Sequence, residues 1–324
     1  MTRGQTGRWA RFWDRLRRSL TTAWPVVAAL AIIVGFQVIN PFFLSYQGFI
    51  TLVYAMSYFL IAACGLTFVI VMGSFDFSVV SVLKLAALLC VLYIDRLGLW
   101  VIPAALLVST GLGVINGLLF ARFNVPSFMA TLGVSVVVEG VALYLSRGFL
   151  HIMYDETFRA LATSFIARLP AIFFWGMGVW MISTILAVFT PFGRRVYAIG
   201  GNPIGAGLSG INVERYRIYV FALSSFCAGL AGVLYMAQLG GGSMQIGADA
   251  AIPLFASVVA GGTALTGGVG GPHRTLFGVI IITWIQAGML MLALGRDVQM
   301  VTFGLIALGM SAATIDRRRM RIVK

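Results

Sequence analysis

The chain has 324 residues, of which 60% are hydrophobic and only 10% charged, with a mean hydropathy of +0.97. That balance excludes an ordinary soluble domain, in which about a quarter of residues are charged. The formal net charge of +13 would suit a nucleic-acid binder if it covered a soluble surface, but the basic residues gather at the ends of apolar runs instead.

A bilayer core about 30 Å thick takes roughly 20 helical residues to cross, and charge-poor runs of that length recur from residue 24 to residue 315. Segments such as 101–120 and 276–294 are apolar on every side, which fits helices and not the alternating strands of a β-barrel. The fold class expected is all-α, a polytopic membrane protein of about ten transmembrane helices. In chain order the predicted spans are 24–40, 49–72, 80–94, 98–121, 126–146, 170–190, 217–238, 251–271, 275–295 and 298–315. They divide the chain into a basic segment 1–23, a permease domain 24–315 and a basic tail 316–324.

Six arginines precede the first span, and Arg317, Arg318, Arg319, Arg321 and Lys324 follow the last. Both termini are therefore predicted cytoplasmic, which requires an even number of spans. Arg122, Arg194, Arg195, Arg215, Arg217 and Arg274 then fall inside as well, against Arg96, Arg147, Arg159, Arg168 and Arg296 outside. The first apolar run is long and lacks a clear small-residue cleavage site, so it reads as a retained span and not as a signal peptide.

Ionisable groups inside hydrocarbon are costly and mark pathways or structural pairs. Asp76, in GSFDFSVVS, stands among Gly73, Ser74 and Ser78 and reads as a helix break followed by an N-terminal cap, with direct solute contact as the alternative. Lys84 sits among Leu83, Leu85 and Ala86 and has to find a partner, snorkel or face water; Asp76 and Glu139, in the fifth span, are the candidate partners. Asp249 stands at the mouth of the eighth span. Asp76 and Asp249 each precede a span from opposite sides of the membrane, which raises an inverted repeat.

Two loops stand out. The external segment 147–169 offers Asp155 and Glu156 to a partner, or forms an amphipathic helix lying on the membrane surface. The cytoplasmic segment 191–216 has Asn202 followed by Pro203, a strong helix start, and Gly210 as a stop. A short helix over 203–209 has too little surface to bury by itself, so it is expected to fit a groove on another protein. The glycines of AGGTALTGGVGG, 260–271, lack the preceding strand and following basic helix of a phosphate-binding loop and read as close packing or a helix break.

The chain's only lysines, Lys84 and Lys324, do not follow a glycine, so no nucleotide-binding P-loop is present. His151 and His273 fall in loops on opposite faces, and Cys64, Cys90 and Cys227 lie apart in apolar runs. No enzyme activity, metal site or cofactor is expected.

The run TPFGRRVYAIGGNP from Thr190, continued by LSGINV from Leu208, resembles the cytoplasmic coupling segment of ribose-type ABC permeases. That group belongs to the branched-chain amino acid/ribose permease superfamily. GSFDFSVVS at 73–81, NVPSFMATLG at 124–133 and VVAGGTALTGGVGG at 258–271 are similar in the same order. The resemblance implies a permease subunit of an ATP-driven importer in a bacterial inner membrane. It would carry a small sugar and work with ATPase subunits, a periplasmic solute-binding protein and a second permease subunit, like or unlike itself. It also implies that 203–209, with Gly205 and Ala206, inserts into an ATPase groove while Arg194 and Asn202 fix its flanks. Four departures stand out: Phe77 where the family has leucine, Val80 where it has glycine, Ala251, Ile252 and Pro253 where it has Glu-Leu-Asp, and Lys84 where it has a small or apolar residue. A branched-chain amino acid or nucleoside permease remains an alternative. So does an ion-coupled transporter relaying charge through Asp76, Lys84, Glu139 and Asp249.

Overall fold

A computed structural model describes residues 34–242 and 250–314. Both basic termini and Asp249 lie outside these residues, so the division at 23 and 316 and the side of the membrane taken by the ends do too. Six described helical runs are long and apolar enough to cross a membrane.

The central helix is α1, Tyr46–Val71, capped by Ser45, whose side chain accepts from Gly48 N, and buried over most of its length. Its 26 residues span about 39 Å at 1.5 Å per residue, enough to cross with some tilt. Helices α2, Val79–Leu97, and α3, Val101–Ala121, are joined by a single turn at Gly98–Trp100 and pack on each other. Their combined run therefore folds back as a hairpin. After Pro126 comes α4, Ser127–Ser146, the least buried of the spans together with α6.

The segment 147–169 is more structured than its sequence suggested. It contains β1, His151–Ile152, then α5, Glu156–Thr163, and a hairpin of β2, Phe165–Ile166, with β3, Leu169–Pro170. Asp155 caps α5 by accepting from Phe158 N at 2.7 Å. The apolar face of α5 is turned into the protein, with Phe158 and Ala162 fully buried and the helix packed on Ala171–Phe189 and Val213–Leu239.

Helix α6, Ala171–Phe189, returns to the other side and is followed by α7, Pro191–Gly201, and α8, Pro203–Leu208. The second of these is the short helix expected over 203–209. The first carries no apolar period in its glycines and arginines, so the sequence does not announce it as a helix. Helix α9, Val213–Leu239, capped by Asn212, runs up the centre beside α1, α2 and α3. The α3–α9 seam is close: a Cβ on Gly113 would stand 2.4 Å from the Phe221 carbonyl oxygen, and one on Gly229 2.5 Å from Ser109 Oγ. Small residues at such positions let helix backbones approach in lipid. The strand β4, Gly241–Gly242, pairs antiparallel with β1.

The predicted span 251–271 is a half-helix. Helix α10 covers only Ala251–Ala260, about 15 Å of rise, and 261–271 is irregular up to α11, Pro272–Met291. Gly262, Gly267, Gly268, Gly270 and Gly271 all take positive φ there, which side chains resist and glycine does not. The last described helix is α12, Arg296–Thr314.

Candidate functional site: two helix breaks and a cytoplasmic mount

Irregular backbone at membrane depth is tolerated only when it is buried in protein or lines a cavity. Among the described residues, 72–78 between α1 and α2 and 261–271 between α10 and α11 are irregular and partly buried in protein, and they touch. Gly268 N donates to the Val71 carbonyl at 2.8 Å, and a Cβ on Gly267 would stand 2.8 Å from Gly73 Cα. In the first break, Phe75 N and Phe77 N donate to Ser127 Oγ (3.2 Å) and Thr131 Oγ1 (3.1 Å) at the start of α4.

Asp76 is fully buried in this break. Its Oδ1 accepts from Ser78 N at 3.0 Å and from Ser78 Oγ at 2.6 Å, and Oδ2 accepts from Ser224 Oγ of α9 at 2.8 Å. Asn116 Nδ2 of α3 donates to Ser78 Oγ at 2.8 Å, so α3 joins the cluster through Ser78 while the carboxylate itself is held by Ser78 and Ser224. Asn116 and Ser224 went unnoticed in the sequence, where a lone Asn or Ser in an apolar span carries no local signal.

Lys84 is apart from this cluster. Its Nζ lies 3.2 Å from Glu139 Oε1, with Lys84 9% and Glu139 52% exposed. The four acidic and basic groups therefore do not form one chain: Asp76 is held by hydroxyls, Lys84 and Glu139 by each other, and Asp249 falls outside the described residues.

The aromatic rings of the two breaks face one another. Phe77 and Phe255 of α10 have centroids 4.8 Å apart, and Phe75 lies 6.4 Å from each of them. Together with Ile252, Val259 and Leu265 they wall a cavity of about 210 Å³. Beyond Ala251 and Ile252 a larger cavity of about 440 Å³ opens between α10, α11 and α12, with Gln286 and Gln299 in its wall.

At one end of the helices, α7 and α8 sit on a separate apolar cluster in which Val196, Ile199 and Ala206 pack against Phe68, Val71 and Phe221. Asn202 caps α8 by accepting from Gly205 N at 3.0 Å, and Gly210 ends the segment at φ +81. Arg194, Asn202, Pro203 and Gly210 are exposed. Ala206, assigned from the sequence to the coupling surface, is buried, and Gly205 lies under its own cap, where a Cβ would meet Asn202 Nδ2 at 3.0 Å. The free face of α8 instead carries Ile204 and Leu208, one turn apart and 76% and 87% exposed. Behind α7, the Tyr197 hydroxyl donates to the Gly270 carbonyl at 2.7 Å. Trp180 Nε1 of α6 donates to the Pro272 carbonyl at 2.9 Å.

Residues 48–311, from α1 into α12, match the family described as branched-chain amino acid transport system / permease component. The chain belongs to this family. The ribose import permease protein RbsC of Haemophilus influenzae is 32% identical, covering 87% of this chain and 89% of that protein. The RbsC of Bacillus subtilis is 30% identical over 91% and 92%. The L-arabinose transport system permease protein AraH of Escherichia coli is 30% identical over 80% and 79%. No solved structure matches the chain. As a family permease it is a transporter's membrane subunit and not an enzyme, a multi-pass protein of the inner membrane. Membership implies ATPase and solute-binding partners on other chains.

Proposed function

We propose that the chain is the membrane-spanning half of an ATP-driven importer for a small sugar, and that α8 is the piece of it that an ATPase subunit grips. The observation that carries this reading is the Ile204–Leu208 pair, two large apolar side chains held out on a six-residue helix whose other face is fixed by Ala206 and Asn202. Exposed apolar groups on a rigid mount are what an interface anchor requires. Ribose and arabinose are the first solutes to test, since the names of the relatives above refer to them.

The same reading has ten crossings with both termini in the cytoplasm, around a permease domain 24–315. The Val79–Ala121 hairpin supplies two crossings, and the half-helix α10 with its glycine-rich continuation supplies one. Asp76 and Asp249, each just before a span, would be the matching acids of an inverted repeat. Asp76, Ser78, Lys84, Glu139 and Asp249 are assigned to the solute path or to its immediate support, and a second permease subunit completes that path.

The test has two arms. Ile204→Ser with Leu208→Ser should abolish co-purification of the cognate ATPase while leaving the membrane domain monodisperse, whereas unchanged co-purification would remove α8 from the interface. Proteoliposomes holding the chain, its ATPases and its binding protein should take up labelled ribose or arabinose only with ATP inside or outside the vesicle. Uptake driven by an ion gradient without ATP would sink the importer reading.

A further inference from the structure

Transport fixes that a solute crosses this protein, but not where the passage is narrowest or what that point selects. In transporters, interrupted helices in corresponding halves are the best pointer to the place where solute is handled. Here the two interruptions are not merely present; they converge, and each contributes aromatic rings to one cavity. Phe75 and Phe77 come from the first and Phe255 from the half-helix leading into the second. Phe77 is positioned by its own backbone, which Thr131 Oγ1 accepts from at 3.1 Å. Among the described residues the cavity wall is made of Phe, Ala, Ile, Val and Leu, without a charged or hydrogen-bonding side chain. The polar groups of this region are turned elsewhere: Asp76, between the two phenylalanines in sequence, faces Ser78 and Ser224 behind the wall.

We propose that Phe75, Phe77 and Phe255 form the constriction of the solute path, passing compact uncharged solutes that present an apolar ring face and holding back charged ones. Apolar constrictions close channels by excluding water, and flat rings offer the CH face of a sugar a surface to slide over. A single charge at such a wall is disfavoured by on the order of a hundredfold. The wall also falls where the sequence departs from the family pattern, at Phe77 and at Ala251 and Ile252, so the selection is a property of this chain. Phe255 rides on α10, and the glycine-rich break that ends α10 is bonded to α7 through Tyr197 and Gly270. Movement of the cytoplasmic mount therefore has a short covalent and hydrogen-bonded route to the ring that has to open.

The inference rests on the transporter reading but not on which sugar is carried, and its first test uses neither ATP nor the native solute. The full chain would be reconstituted in liposomes and their swelling followed by light scattering, first in erythritol and then in sodium gluconate. The parent should be as tight as empty vesicles to both. Phe77→Ala with Phe255→Ala should raise erythritol permeation at least tenfold, with gluconate still excluded, and Phe77→Leu should fall between. A double variant that is monodisperse yet as tight to erythritol as the parent overturns the constriction, and equal gains for erythritol and gluconate overturn the apolar selection. Should the double variant not fold, Phe77→Cys with Phe255→Cys and a short bis-maleimide provides a second measurement. Cross-linking that leaves ATP-driven uptake unchanged excludes these residues from the moving path, whereas a block supports it. Failure of the parent to take up any sugar with ATP counts against the proposed function alone.

Discussion

The Tyr197 hydroxyl donates to the Gly270 carbonyl at 2.7 Å, tying the helix behind the exposed Ile204–Leu208 face to the break that follows Phe255's helix. Burial raises the Tyr197 phenol above its ordinary pKa, against an opposing pull from Arg274, so it stays protonated and able to donate. Tyr197→Phe removes one neutral hydrogen bond, about 1 kcal/mol, and should leave ATPase binding intact. The expected loss is a several-fold fall in solute moved per ATP hydrolysed, with uptake and hydrolysis measured in the same vesicles. An unchanged ratio would mean that the contact transmits nothing.

Gly200 and Gly201 give a paired prediction. A Cβ on Gly200 would stand 1.9 Å from the Val71 carbonyl oxygen and 2.7 Å from Gly268 N, both backbone atoms that cannot swing away. Gly200→Ala should cost about 2 kcal/mol or more through forced backbone shifts. Gly201→Ala meets nothing within 4 Å and should be neutral within about 0.5 kcal/mol. Thermal unfolding of the two variants in detergent separates them; equal midpoints would contradict the close packing of α7 on the breaks.

The Lys84–Glu139 contact predicts coupling between these two residues and none between Lys84 and Asp76. Lys84→Met with Glu139→Gln should show about 1 kcal/mol of non-additivity, a modest figure because the carboxylate is half exposed. Lys84→Met with Asp76→Asn should add within about 0.5 kcal/mol. The cycle is read by thermal stability, and the reverse ranking would move Lys84 into the Asp76 cluster.

Asp76 itself predicts a graded series. Asp76→Ala strands Ser78 and Ser224, whose hydroxyls and amide now bond to it, at about 1–3 kcal/mol for each buried group left unpaired. Asp76→Asn keeps an acceptor for Ser78 and a partner for Ser224 and should be milder, with Ser224→Ala milder still than Asp76→Ala. Equal loss for Asn and Ala at this position would point to the charge and not to the hydrogen bonds.

Much of this architecture was legible because lipid imposes strong rules on sequence. Long apolar runs marked the spans, and the Asn202–Pro203 start placed α8 to within a residue. The glycines of 260–271 also signalled a break, but not its extent: α10 stops at Ala260 because five following glycines adopt positive φ together, a cooperative choice that no single glycine announces. Helix α7 was missed because its buried positions, Gly193, Val196 and Ile199, include a glycine that reads as loop. The burial of Ala206 could not be read from a six-residue helix, which is too short to show a period. The Asp76 cluster was half visible: the acid advertises itself in an apolar chain, while Asn116 and Ser224 become its partners only through α3 and α9, 38 and 148 residues from their bonding partners.

One consequence remains in the carboxylate of Glu139. Only one of its oxygens is engaged by Lys84, and its helix, α4, presents Val136, Val137, Leu143 and Tyr144 outward around it. Hydrocarbon will not solvate the other oxygen. A single copy adrift in lipid would thus carry an unquenched dipole on its flank, and the bilayer would thin or admit water there. The flank becomes stable once it is walled off by another subunit or opened onto an aqueous lumen, so the pair sets the orientation in which this chain is at ease in its membrane.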